Sequence, residues 1–157
     1  MPALPPCPSV LIVDDEPMVL ITLKVILENE QFEVTTAPDP LQALKLVEDR
    51  NFAVIISDHK MPGMMGLNFL SACRRISPTS SRILLTAVLN LAAVLNAIAQ
   101  GEICRFVSKP WLKEELIAAV RDGVQRHELT TSNQELRNEA DRLGVLLAAA
   151  NRALAAR

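Results

Sequence analysis

A chain of 157 residues, half of them hydrophobic, can bury one core and still carry a modest extension. Its 16 basic and 18 acidic residues are interspersed and leave a net charge of −2, which excludes a strongly basic face for nucleic acid. Cys7, Cys73 and Cys104 are odd in number and lack metal-ligand spacing, so they read as reduced thiols of a cytoplasmic protein, with Cys73 and Cys104 in the core. No apolar run nears the roughly 20 residues that cross a bilayer. Residues 1–8 are broken by prolines and lack a basic segment, so they are expected to be a disordered tail rather than a signal peptide.

Val10-Leu11-Ile12-Val13 is a fully apolar strand that ends in Asp14-Asp15-Glu16. Pro17 suits the first turn of a helix, and Val19, Leu23, Ile26 and Leu27 then recur at helical spacing. Phe32 to Ala37 is the second strand. Asp39-Pro40 is an N-cap followed by proline, opening a helix with the apolar stripe Leu41, Leu44 and Val47. Phe52 to Ile56 is a continuous apolar run, a strand buried on both faces, and it ends in Ser57-Asp58-His59-Lys60. After Met61-Pro62-Gly63, a helix marked by Leu67, Leu70 and Cys73 stops near Ser77-Pro78. Ile83-Leu84-Leu85 is a strand ending at Thr86, Leu91 to Gln100 a helix closed by Gly101, and Ile103 to Val107 the last strand. Lys109-Pro110-Trp111 leads into a long helical stretch whose first inner stripe is Leu112, Leu116, Ala119 and Val120.

Strands alternating with helices predict an α/β fold, a parallel sheet covered on both faces. In such a sheet the carboxyl ends of the strands converge on one crevice. Here they deliver Asp14, Asp15, Asp58, Thr86 and Lys109. Charges about 4 Å apart repel by roughly 4 kcal/mol at an effective dielectric of 20. Three carboxylates therefore call for a proton or a divalent cation among them. An oxygen-only cluster with open positions suits Mg²⁺, and a nearby hydroxyl and ammonium suit an added anion.

Four strand ends carrying these five residues in this order resemble the receiver domain of response regulators, the CheY-like superfamily, over residues 9–125. The resemblance rests on Asp14-Asp15, on Asp58 followed by Met61-Pro62-Gly63, on Thr86-Ala87 and on Lys109-Pro110. It implies a doubly wound, flavodoxin-like sheet in the order 2-1-3-4-5. It also implies that Asp58 is a phosphoacceptor served by a sensor histidine kinase or a phosphotransfer protein. Asp15, Asp58 and the backbone carbonyl of Lys60 would hold Mg²⁺, with Asp14 acting through water. Lys109 and Thr86 would each meet a phosphoryl oxygen, and Lys109-Pro110 would carry a cis peptide. Phe106 falls at the family's switch position, although a buried core phenylalanine would look the same. Lys60 and Val88 would flank the path of hydrolytic water. His59 is expected to point away from the acceptor, and it is assigned no chemistry.

The helix from Val88 to Ala99 is apolar nearly all round, which fits a covered core helix or a face that docks a second subunit. Residues 126–157 are expected to form a helical extension. Leu129, Leu136, Leu143 and Ala150 are seven apart there, with Asn133, Ala140, Leu147 and Leu154 interleaved. This is an a/d heptad pattern with asparagine at one a position. It predicts a homodimeric coiled coil; a helix folded back on its own domain is the alternative. Trp111 followed by such a helix resembles receivers that precede HD-GYP or other output domains, yet no output motif is visible in the chain. Two other functions compete with the phosphoacceptor switch. A Mg²⁺-dependent phosphohydrolase would need an acid two residues beyond Asp58, where Lys60 stands. A degenerate receiver acting as a coiled-coil adaptor would have no need of the retained acids. His127 reads as a helix-surface histidine rather than a kinase phosphoacceptor.

Overall fold

The computed structural model describes residues 6–87 and 91–156. The expectation for Val88 lies outside the described residues, as does most of that for the first eight. Residues 1–127 form one compact unit and residues 128–157 a second.

The first unit alternates strands and helices: β1 (Ser9–Val13), α1 (Pro17–Asn29), β2 (Glu33–Ala37), α2 (Pro40–Asp49), β3 (Val54–Asp58), α3 (Gly66–Ile76), β4 (Ser81–Thr86), α4 (Leu91–Ala99) and β5 (Arg105–Ser108). A final helix, α5, is assigned from Lys113 to Ala155. The strands pair in parallel in the order β2-β1-β3-β4-β5. β1 and β3 are thus neighbours at the centre, in a register that sets Val10 opposite Val54 and Val13 opposite Ser57. The chain reverses its direction of winding there, and that is where ligands bind in open α/β sheets.

Successive residues of a strand face opposite sides. Val10, Ile12, Val54, Ile56, Ile83 and Leu85 accordingly pack under α1 and α5, together with Leu23, Leu27, Leu116 and Val120. Leu11, Val13, Ile55 and Leu84 face the other way, toward α2, α3 and α4. Both faces being covered is why these strands read as unbroken apolar runs rather than alternating ones.

The helix ends follow local chemistry. Pro17 and Pro40 sit in the first turns of α1 and α2, and the Asp39 side chain accepts from the Gln42 N–H at 2.9 Å. α4 ends with Gly101 at φ 74°, where Glu102 N–H bonds the Ala97 carbonyl at 2.9 Å and Gly101 N–H that of Ile98 at 3.0 Å. The guanidinium of buried Arg82 donates to three carbonyls around this turn, those of Ser80, Gly101 and Glu102. Burial lowers the Arg82 pKa, and the three carbonyls satisfy donors of the buried guanidinium.

Three packing expectations need correction. Leu41 is 66 % exposed; α2 buries Val47 as expected, but Pro40 and Ala43 in place of Leu41. Leu112 is 67 % exposed and precedes the first turn of α5, whose buried stripe begins at Leu116. Leu41 lies one position off the stripe that meets the sheet, whereas Leu112 is in phase with its stripe but stands outside the helix. Cys104 is only half-buried, because it lies just before β5 rather than within it.

The second unit, taken by itself, is a run of helix. Its leucines at 129, 136, 143 and 147 have no second element among the described residues of that unit to cover them.

Candidate phosphoacceptor site

Asp14 leaves β1 beneath the surface, 1 % exposed, with its backbone N–H on the Ala37 carbonyl at 3.3 Å. Its Oδ1 accepts from the Glu16 N–H at 2.9 Å, which fixes the turn into α1. Asp15, next along, is exposed. Asp58 is the last residue of β3, paired with Leu85, and its Oδ1 accepts from the His59 N–H at 2.8 Å. The loop after it turns at Gly63, φ 85°, and returns at Gly66. Gly66 lies so close beneath the Asp58 carbonyl that any side chain there would collide with it. Lys109 follows β5, with its backbone N–H on the Thr86 carbonyl at 2.8 Å, so that the ends of β4 and β5 are joined. A cis peptide connects it to Pro110.

These residues meet. One carboxylate oxygen from each of Asp14, Asp15 and Asp58 lies within 4.8 Å of the others. The Lys109 ammonium stands 3.3 Å from Asp14 Oδ2 and 3.0 Å from Asp58 Oδ1. A crevice of about 370 Å³ opens above them, walled by Asp15, Asp58, Lys60, Thr86, Ala87 and Lys109. Glu16 and His59 complete the wall. Sequence reasoning missed Glu16, although its place directly after the acid pair was the available signal. His59 also borders the crevice, and its Nδ1 is buried without a hydrogen-bond partner among the described residues. Phe106 lies outside this group, half-buried against the core beneath α2, α3 and α4.

The electrostatics follow from the crowding. Burial raises the Asp14 pKa, and the Asp58 charge adds to the rise. The Glu16 N–H and the Lys109 ammonium oppose it. For Lys109, burial pulls downward, but the hydrogen bond to Asp58 and the charges of both acids prevail, and its pKa is raised. Three acids against one ammonium leave negative charge in excess. Carboxylate oxygens alone, open to solvent on one side, match the needs of a small hard cation such as Mg²⁺, so the residues fit that ion.

Residues 10–121 match the response regulator receiver domain. The chain belongs to the receiver family. Among curated relatives, the hydrogenase transcriptional regulatory protein HoxA of Cupriavidus necator is 31 % identical over 121 residues, covering 77 % of this chain and 25 % of HoxA. The chain therefore spans about a quarter of the length of that relative. Among solved structures, the adenylate cyclase of Rhodopirellula baltica superposes with a TM-score of 0.80 at 35 % identity, over 84 % of this chain and 98 % of that one. The beryllofluoride-activated NtrC4 receiver domain dimer superposes with a TM-score of 0.71 at 30 % identity, over 76 % of this chain and 98 % of that one. Receiver domains bind Mg²⁺ at an acidic pocket, and this receiver has its acidic cluster at Asp14, Asp15 and Asp58. No helix among the described residues is long and apolar enough to cross a membrane.

Proposed function

We propose that Asp58 takes a phosphoryl group from the phosphohistidine of a cytoplasmic sensor kinase or phosphotransfer protein, and that the chain is a two-component switch. The observation that carries this reading is the Lys109 ammonium held between Asp14 and Asp58 at 3.3 and 3.0 Å, in a crevice with two further strand ends. A carboxylate oxygen of Asp58 attacks phosphorus, the P–N bond to imidazole breaks, and a mixed carboxylic–phosphoric anhydride forms. The His59 N–H on Asp58 Oδ1 leaves Oδ2 as the oxygen available for attack. Asp15, Asp58 and the Lys60 carbonyl would hold Mg²⁺, with Asp14 engaged through water. When bound, the ion supplies charge neutralisation for the phosphoryl oxygens. Lys109 pairs with one of those oxygens and Thr86 donates to another, so catalysis is positioning and charge stabilisation.

The chain acts as a switch rather than a turnover enzyme. Lys60 stands where a phosphohydrolase needs an acid to protonate its leaving group. A phosphoryl group adds about −1.5 to −2 charges, and Thr86 gains that partner only in the modified form. This difference biases a two-state element made of Phe106 and the α4, β5 and α5 face. Lys60 tunes the loss of the group from its place in the crevice wall. Homodimerisation through that face and through the C-terminal helix passes the signal on, and the NtrC4 receiver described as an activated dimer supports this reading.

Acetyl phosphate with Mg²⁺ is the test. The expected product is a single base-labile phosphoryl adduct that is lost in Asp58→Asn. An adduct retained in that variant, or steady phosphate release from small esters, would overturn the proposal.

A further inference from the structure

Deepening the reading of the C-terminal helix given above, we propose that residues 129–147 pair with a second copy as a parallel, in-register, two-stranded coiled coil. In this assembly Asn133 meets the same residue of the other chain. The described residues of the second unit are one run of helix, and most helical stability in proteins comes from packing an apolar face rather than from propensity. Something must cover Leu129, Leu136 and Leu143, each about 60 % exposed.

The periodicity of the sequence argues for a partner outside the chain. In the first unit α5 buries Leu116, Val120 and Gly123, with His127 next in line. Prolonging that stripe at 3.6 residues per turn reaches Thr131, Gln134 and Asn138, all polar. The apolar positions of the second unit begin instead at Leu129, two residues past His127, roughly half a turn round the helix. The apolar pattern of the sequence thus changes phase, and beyond residue 128 it has a repeat of seven rather than the broad stripe that meets a sheet.

Orientation follows from Asn133. With leucine at d and asparagine at one a position, parallel in-register pairing stacks like layers, so the two amides hydrogen-bond each other. Antiparallel pairing sets a layers against d layers, and Asn133 would then be buried against leucine with no partner for its amide. The flanking positions agree. Across a parallel seam Glu139 approaches Gly144 and Ser132 approaches Arg137, so no like charges meet.

The experiment uses the full chain in a Cys7→Ser background, since Cys73 is buried and Cys104 half-buried. Leu129→Cys, Leu136→Cys and Leu143→Cys are oxidised separately, with Asn138→Cys on the outer side as control. Sedimentation equilibrium on the unmodified protein gives the assembly mass. The expected result is twice the 17.2 kDa chain mass, with all three seam positions cross-linking at least ten-fold faster than Asn138→Cys. A monomer, a trimer, or cross-linking at no more than one seam position, as an antiparallel pair requires, would each overturn the proposal. Leu136→Glu combined with Leu143→Glu should return the chain to monomer, while Asp58-dependent labelling by acetyl phosphate persists. Labelling is scored on every variant, so failure of the coil and failure of the phosphoacceptor reading are told apart.

Discussion

The Ser81 hydroxyl donates to the Gly123 carbonyl at 2.6 Å, joining the first residue of β4 to the turn of α5 that lies nearest the sheet. The approach is possible because position 123 has no side chain. A Cβ there would stand 3.0 Å from Val54 Cγ2 and 3.3 Å from Ser81 Cβ. Gly123→Ala should therefore destabilise the first unit by about 1–3 kcal/mol through overpacking. Ser81→Ala should cost about 1 kcal/mol through the lost hydrogen bond. Urea unfolding of each variant and of the pair measures this, and because the residues touch, the two costs should not add.

The acid cluster should make the cation-free protein less stable than its neutralised variants. Asp14 is buried beside Asp58 with its pKa raised, so Asp14→Asn should raise the thermal midpoint in chelator by about 2–4 °C, the equivalent of about 1 kcal/mol in a chain of this size. Adding Mg²⁺ at about 100 times its dissociation constant should stabilise the wild type by about 2.7 kcal/mol. Asp15→Asn should show much less of that gain. Equal responses in all three proteins would remove the ion from the acid cluster.

Stability should fall on the alkaline side for two separate reasons. Burial pushes the Cys73 thiol up to about 12, from an ordinary 9.0. Between those values the folded thiol keeps a proton that the unfolded chain releases, so stability drops as pH rises, by at most about 1.4 kcal/mol per pH unit. The Lys109 pKa is raised above its ordinary 10.5, so its ion pairs contribute in full below that pH and are lost as pH rises through the folded value. Urea midpoints from pH 7 to 11 should decline from pH 9 in the wild type. In Cys73→Ala the decline should start later, above pH 10, whatever that variant's stability at neutrality.

Gln31 is a further lever. It takes φ 69° where α1 ends, with Phe32 N–H on the Leu27 carbonyl at 3.2 Å, the position at which helices usually place glycine. Gln31→Gly should stabilise by about 0.5–1 kcal/mol, read as a rise in urea midpoint with unchanged slope.

The strands and the acids were legible in the sequence for one shared reason. A strand covered on both faces must be apolar along its whole length, so Val10 to Val13 and Phe52 to Ile56 stand out, and the first charged residue after each marks the crevice. Helix faces were harder. Leu41 is apolar but lies one residue of phase away from the buried stripe, and Leu112 has the right phase but precedes the helix that would carry it inward. Arg82 was invisible because its partners are backbone carbonyls, which no side-chain pattern reports. The same holds for Gly66, whose smallness answers to the Asp58 carbonyl rather than to a turn.

The Lys109 bridge has a consequence for the resting protein. With one ammonium touching both Asp14 and Asp58, the crevice carries its own counterion. The apo fold is thereby spared a wholly bare triad of acids: an arriving divalent ion would have only the residual charge left to neutralise.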